Sequence, residues 1–222
     1  YRTFSALRNR NFRNLRTGTM FMWCAGQFQG IGQGYLAYDL TRSAGLLGVI
    51  SVGYGLPMIT LALFGGAIAD RMKRKRLIQL FQGAEALIAL GLAISVISGT
   101  VTWYHILAAS IIHGALFAFM LPARQAIIPE LVDKSEITNA IALNSAGQSA
   151  VMLTAPAICG TLYAIFGPEA VFIGMFVFQS LAVILTEMVP TSRQLPVQPK
   201  QNLFKDVKDG IRVMKNNRVI LV

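Results

Sequence analysis

Residues 86–123 read ALIALGLAISVISGTVTWYHILAASIIHGALFAFMLPA, 38 positions without one Asp, Glu, Lys or Arg. A helix rises 1.5 Å per residue and the hydrocarbon of a bilayer is about 30 Å thick, so roughly 20 apolar residues make one crossing. The stretch is long enough for nearly two, and Ser98-Gly99-Thr100 supplies the turn that divides it. Further uncharged runs lie on either side, at 17–38, 43–69 and 137–168, the last broken by Gly167-Pro168. The 222 residues are 54% hydrophobic and 14% charged, where a soluble domain carries about 25% charged residues. The sequence is that of an all-α membrane protein. Six spans are expected, at about 15–38, 45–68, 77–98, 103–127, 137–162 and 169–189.

The formal charge of +10 raises the question of nucleic acid. A nucleic-acid surface gathers its bases on one folded face. Here they sit in short segments between apolar runs, the pattern of loops retained on the cytoplasmic side. Nineteen of the 20 Lys and Arg fall on one side of the six-span topology and one, Arg42, on the other. Both ends of the chain are therefore expected in the cytoplasm of a multi-pass cell-membrane protein, with the bilayer as partner and no nucleic acid. Tyr35, Tyr38, Trp103 and Tyr104 fall at the outer boundary, where amphipathic rings settle. Cys24 and Cys159 stand alone in different spans, so neither a disulfide framework nor a metal site is expected. No nucleophile elbow, phosphate loop or carboxylate pair points to an enzyme or a cofactor. Asp133 and Glu136 have the spacing of a capping box.

The bundle is expected to occupy 1–189. Residues 190–217 follow as a cytoplasmic linker, with Pro196 and Pro199 and then an amphipathic helix whose Leu203, Phe204, Val207, Ile211 and Met214 share a face. Residues 218–222 read as the beginning of a seventh span, and without a starting Met the chain reads as part of a longer one.

Several side chains exceed what spanning requires. Glu85 is the one acid well inside an apolar run, and intramembrane ionisable groups are functional by default; a hydrogen-bonded structural Glu is the alternative. His113 lies at mid-depth in the fourth span and is a second proton-coupling candidate beside a structural histidine reading. Gln29 and Gln33 share a face of the first span and must find partners or a wet cavity. Gly26, Gly30 and Gly34 at four-residue spacing predict a smooth face for a neighbouring helix.

The segment GGAIADRMKRKRLI, 65–78, resembles the cytoplasmic signature loop of the major facilitator superfamily, a glycine followed by x-x-x-Asp-Arg-x-Gly-Arg-Arg. Gly66, Asp70, Arg71, Arg74 and Lys75 match. Lys73 replaces the second glycine, so freedom at φ > 0 is lost at that turn. Ala155-Pro156-Ala157-Ile158-Cys159-Gly160 is similar to a degenerate form of the antiporter signature Gly-Pro-x-x-Gly-Gly, with Ala155 and Cys159 in place of glycines; an ordinary proline kink with small-residue packing is the alternative. Where many members have Arg-x-x-Gln-Gly in the fourth span, this sequence has Ser110-Ile111-Ile112-His113-Gly114. The segments LAYDLTRSAGLLGV and PARQAIIPELVDKSEITNAIALNSA extend the resemblance towards exporter branches, enterobactin-exporter-like and macrolide-efflux-like.

The resemblance implies the amino-terminal six-helix half of that fold, built of two three-helix repeats, and a missing carboxy-terminal half as partner. It implies alternating-access export of a small molecule with protons as counter-ion, and a cytoplasmic latch at Asp70. It implies also that spans one, two, four and five face the cavity. A non-transporting six-span scaffold or sensor subunit is the rival from another class, and an importer or facilitator on the same fold is a third possibility.

Overall fold

The computed structural model describes residues 8–69 and 73–189. Five α-helices follow one another: α1 Arg10–Thr41, α2 Ala44–Ala69, α3 Arg74–Ile97, α4 Trp103–Leu131 and α5 Ile137–Glu187, with a 3₁₀ turn at Lys134–Glu136 before α5. Among the described residues, four helices are long and apolar enough to cross a membrane, these being Ala44–Ala62 of α2, all of α3, Trp103–Pro129 of α4, and α5. At 32 residues α1 has the length, but its three arginines (Arg10, Arg13, Arg16) and three glutamines make it less apolar. Asn9 caps α1, its side chain accepting from the backbone N–H of Asn11 and Phe12, which satisfies donors that the helix leaves open. Arg42 closes it in the left-handed region at φ 51.

The 51 residues of α5 exceed any single crossing. Gly167 takes φ 82, ψ 177 inside it, a backbone region that is essentially glycine's alone. The arms on either side run in opposite directions along α1. Before Gly167, Arg16 donates to Leu143 O, Cys159 Sγ stands 3.9 Å from Phe28 O, and Tyr163 stacks with Tyr35. After it, Gly32 meets Val171, Gly174 meets Phe28, and Gly18 meets Leu185. The turn expected at Gly167-Pro168 is thus a one-residue reversal at Gly167 rather than a loop from 163 to 168.

Helix α1 packs against α5, α2 against α4, and α3 between α4 and α5. The interior holds polar side chains among its apolar packing: Gln29, Gln82, Glu85, Arg124 and Gln179 are buried. The outside is apolar, with Leu56, Ile59, Leu87, Ile94, Leu153 and Ile165 all exposed. Such an inside-out distribution suits a lipid solvent.

Four expectations are corrected. The fourth helix does not stop at 127; it continues through Pro122 and Pro129 to Leu131. Prolines are tolerated in membrane helices, and Arg124, counted with the cytoplasmic bases, lies inside the helix. The row of Gly26, Gly30 and Gly34 meets no neighbouring helix: a Cβ there would find nothing within 4 Å. Close approach occurs instead at Gly32 and at Gly114, where a Cβ would collide with the Tyr54 carbonyl oxygen. Asp133 and Glu136 form no capping box; Asp133 makes no side-chain cap, and its carbonyl accepts from Glu136 N at 2.8 Å. Lys73 sits at φ −62, ψ 110 as the N-cap of α3, so no positive φ is required where the signature glycine is missing.

Candidate functional site

Helices α1 to α5 enclose a cavity of about 500 Å³. Its wall from α1 carries Gln29 and Gln33 together with the glycine row, and the absent Cβ atoms of Gly26, Gly30 and Gly34 are what keep that wall open. Tyr54 comes from α2, Ser110, His113 and Phe117 from α4, Gln179 from the second arm of α5, and Glu85 from α3. The third helix and the second arm of α5 therefore reach the cavity along with spans one, two and four, whereas the fifth span expected there, the first arm of α5, supplies no lining residue.

Glu85 and His113 meet on this wall. Nδ1 of His113 stands 2.7 Å from both carboxylate oxygens of Glu85, whose side chain is 2% exposed. Two candidates named separately in the sequence are thus one unit, bridging α3 and α4 on the cavity surface. The His113 ring stacks on Tyr54, centroids 5.2 Å apart, and faces Phe117 at 6.0 Å. Close passage of α4 over α2 at Gly114 fixes that stack, since the residue beside His113 touches the Tyr54 backbone. His113 is thus held by a carboxylate on one side and a ring on the other.

Gln29 and Gln33 both line the cavity and are buried. Ser110 Oγ donates to Gln33 Oε1 at 2.7 Å. That serine occupies the position of the signature arginine, and it ties α4 to α1. Both side-chain polar atoms of Gln29 lack a protein partner, as do Gln33 Nε2 and Gln179 Oε1. Buried amides without partners cost free energy unless a ligand or solvent satisfies them, so this wall is built to receive polar groups. Met22, Trp23, Leu47, Ile50, Met120 and Met175 are among its apolar lining.

The antiporter-like segment lies elsewhere. Ala155 and Cys159 are buried in the packing of α5 against α1, Pro156 and Gly160 are partly exposed, and none of the four lines the cavity. Non-helical backbone in α5 falls at Gly167, not at Pro156. Of the latch residues, Asp70 and Arg71 lie outside the described residues, and Gly66 is within α2. Arg74 Nη1 donates to Ala126 O at 2.9 Å, and Lys75 Nζ donates to Glu187 O at 2.8 Å beside its carboxylate at 3.4 Å. Gln79 also donates to that carboxylate. These bases cross-link the ends of α3, α4 and α5. The linker at 190–217 and the seventh-span residues lie outside the described residues as well.

Sequence reasoning missed Tyr54, Gln179 and Arg124. Tyr54 and Gln179 carried no charge to single them out, though a glutamine in an apolar run deserved the weight given to Gln29. Arg124 was counted only among the cytoplasmic bases, which hid its place inside a helix.

The sequence profile of the transmembrane secretion effector family matches residues 1–222. Among curated proteins, the chain is 26% identical to the staphyloferrin A transporter of Staphylococcus aureus, over 90% of this chain and 53% of that one. It is 25% identical to macrolide efflux protein A of Streptococcus pyogenes, over 82% of this chain and 46% of that one. It is 29% identical to the multi-drug resistance efflux pump PmrA of Streptococcus pneumoniae, over 68% and 38%. The chain spans about half the length of the curated relatives it matches.

Proposed function

The chain belongs to the transmembrane secretion effector family, among the multi-pass membrane transporters of the major facilitator superfamily, and from that premise we propose that it is the amino-terminal half of a proton-driven small-molecule exporter. The observation that carries the proposal is the Glu85–His113 pair, buried between α3 and α4 yet part of the cavity wall. A proton held there is sensed by whatever occupies the cavity, which is what exchange of a proton for a solute requires.

Six crossings are counted by adding α1 to α2, α3, α4 and the two antiparallel arms of α5. Pairing of α1 with α5 and of α2 with α4 is the exchange that two three-helix repeats would make. In such folds the substrate site lies near the midplane between halves, and a carboxy-terminal half would complete this cavity. The charge asymmetry supports a cytoplasmic position for both ends, with 190–217 as the linker to that half. Asp70 and its basic neighbours serve as the inner latch, and the anchoring of Arg74 and Lys75 onto α4 and α5 supports it by making their helix ends one rigid surface. The Ala155–Gly160 segment sets the packing of α5 on α1. Export rather than import is favoured by the relatives named for macrolide and multi-drug efflux; their substrates, and staphyloferrin A, form the first panel to try.

Everted vesicles carrying the full-length protein test this directly. We expect uptake of a panel member when the lumen is acidified, and its loss on adding a protonophore. Uptake indifferent to the protonophore would remove proton antiport, and uptake only in right-side-out vesicles would reverse the direction.

A further inference from the structure

Arg124 carries a charge that the Glu85–His113 pair does not use. Its side chain is buried on α4 and its Nη1 donates to Thr19 Oγ1 of α1. Among the described residues, Nε and Nη2 have no hydrogen-bond partner although both are buried. Among the described residues the ion pairs are Arg42–Asp39, Lys75–Glu187 and His113–Glu85, and none reaches Arg124. A guanidinium keeps its charge at neutral pH, and a buried charge without a counter-charge is costly. Within a membrane bundle such a group marks a ligand path.

Its position says which path. Met22 and Met120 line the cavity and pack together in one cluster. Thr19 is three residues before Met22 and Arg124 four after Met120, so at 1.5 Å per residue both lie about one turn beyond that floor. They lie towards the end of the bundle where Arg74 bonds Ala126 O and Lys75 bonds Glu187. Methionine is flexible and deformable, so the floor between Arg124 and the cavity is the part of the wall most easily displaced. Nε and Nη2 share one edge of the guanidinium plane, and two parallel N–H groups on an edge fit the two oxygens of a carboxylate.

We propose that Arg124, steadied by Thr19, is the inner anchor of the substrate path and takes a carboxylate of the transported molecule. This rests on the exporter reading and narrows its substrate class to molecules bearing at least one carboxylate beside a polar body that Gln29 and Gln179 can bond.

Trp23 lines the cavity one turn from Thr19, so its fluorescence reports binding without any transport. Purified full-length protein is titrated with succinate, inorganic phosphate and chloride at matched ionic strength, and Trp23→Phe identifies the signal. Succinate is expected to give a saturable change, weakened about ten-fold or more in Arg124→Met, the loss of two charge-assisted hydrogen bonds. Arg124→Lys keeps the charge but loses the fork, and is expected to weaken succinate binding as well. If Arg124→Met does not fold, the lysine variant decides: undiminished succinate affinity overturns the proposal. Phosphate or chloride binding as tightly as succinate overturns the carboxylate preference. Succinate binding lost in the variants, with no efflux by the intact protein, would leave the anchor standing and remove the exporter reading instead.

Discussion

At the scale of the residue, one bond and one close approach define the site. Glu85 and His113 share a contact, so their substitutions should not add: Glu85→Gln and His113→Gln are each expected to flatten the pH dependence of efflux, and the double variant to do little more. Additive losses measured in vesicles would show two independent sites. Gly114 is where α4 touches the Tyr54 carbonyl. Gly114→Ala must push the helices apart, at about 1–3 kcal/mol or more, and should lower the thermal midpoint in detergent and disturb the Tyr54–His113 stack. Gly30→Ala meets nothing and should leave the midpoint unchanged. Legibility at this scale followed charge. Glu85 announced itself as an acid in an apolar run, and His113 stood out at mid-depth. Their partnership did not, because it depends on how α3 and α4 align across 28 residues of sequence. The glycines show the limit most clearly: a four-residue spacing marks one face of a helix but does not say whether another helix or an opening lies opposite. Here it was the opening, and the tight crossings fell on Gly32 and Gly114.

At the scale of the element, length and hydropathy made α2, α3 and α4 readable to within a few residues at most ends. Errors came from proline and glycine. The fourth helix runs to Leu131, past its expected end at 127, because neighbouring helices hold it together through Pro122 and Pro129, and Arg124, counted among the cytoplasmic bases, lies inside it. Gly167 was rightly taken as the break in the last long stretch, though a single residue performs it. Its φ 82, ψ 177 admits no side chain without strain, and a Cβ would also stand 2.7 Å from the Glu169 carboxylate. Gly167→Ala is therefore expected to cost about 1–3 kcal/mol and to lower the yield of folded protein, while Pro156→Ala, at an unbroken part of the helix, should cost less. Equal yields of the two variants would mean that the reversal at Gly167 is not needed. Lys73→Gly offers a complementary check at the start of α3. Because Lys73 already has negative φ, glycine there should be neutral or slightly unfavourable in thermal stability, and a clear gain would contradict the observed backbone.

For the whole molecule, fold class and family followed from composition, the charge asymmetry and one signature loop, while the cavity could only be seen once the helices were assembled. The topology is open to direct labelling. In a Cys24→Ala, Cys159→Ala background of the full-length protein, Thr100→Cys should react with an impermeant reagent applied outside cells and Ser192→Cys should not. The opposite pattern would invert the orientation proposed here. Asp70→Asn should leave substrate affinity near its original value while turnover falls, because the latch proposed for it acts on the balance between conformations rather than on the substrate. The central claim, that this half couples protons to export through the Glu85 carboxyl, is tested most directly by measuring efflux rate against an imposed pH gradient for the intact protein and for Glu85→Gln. The account predicts a rate that climbs with the gradient in the intact protein and stays level in the variant, with substrate binding retained in both. A variant whose rate climbs in parallel with the intact protein would contradict it.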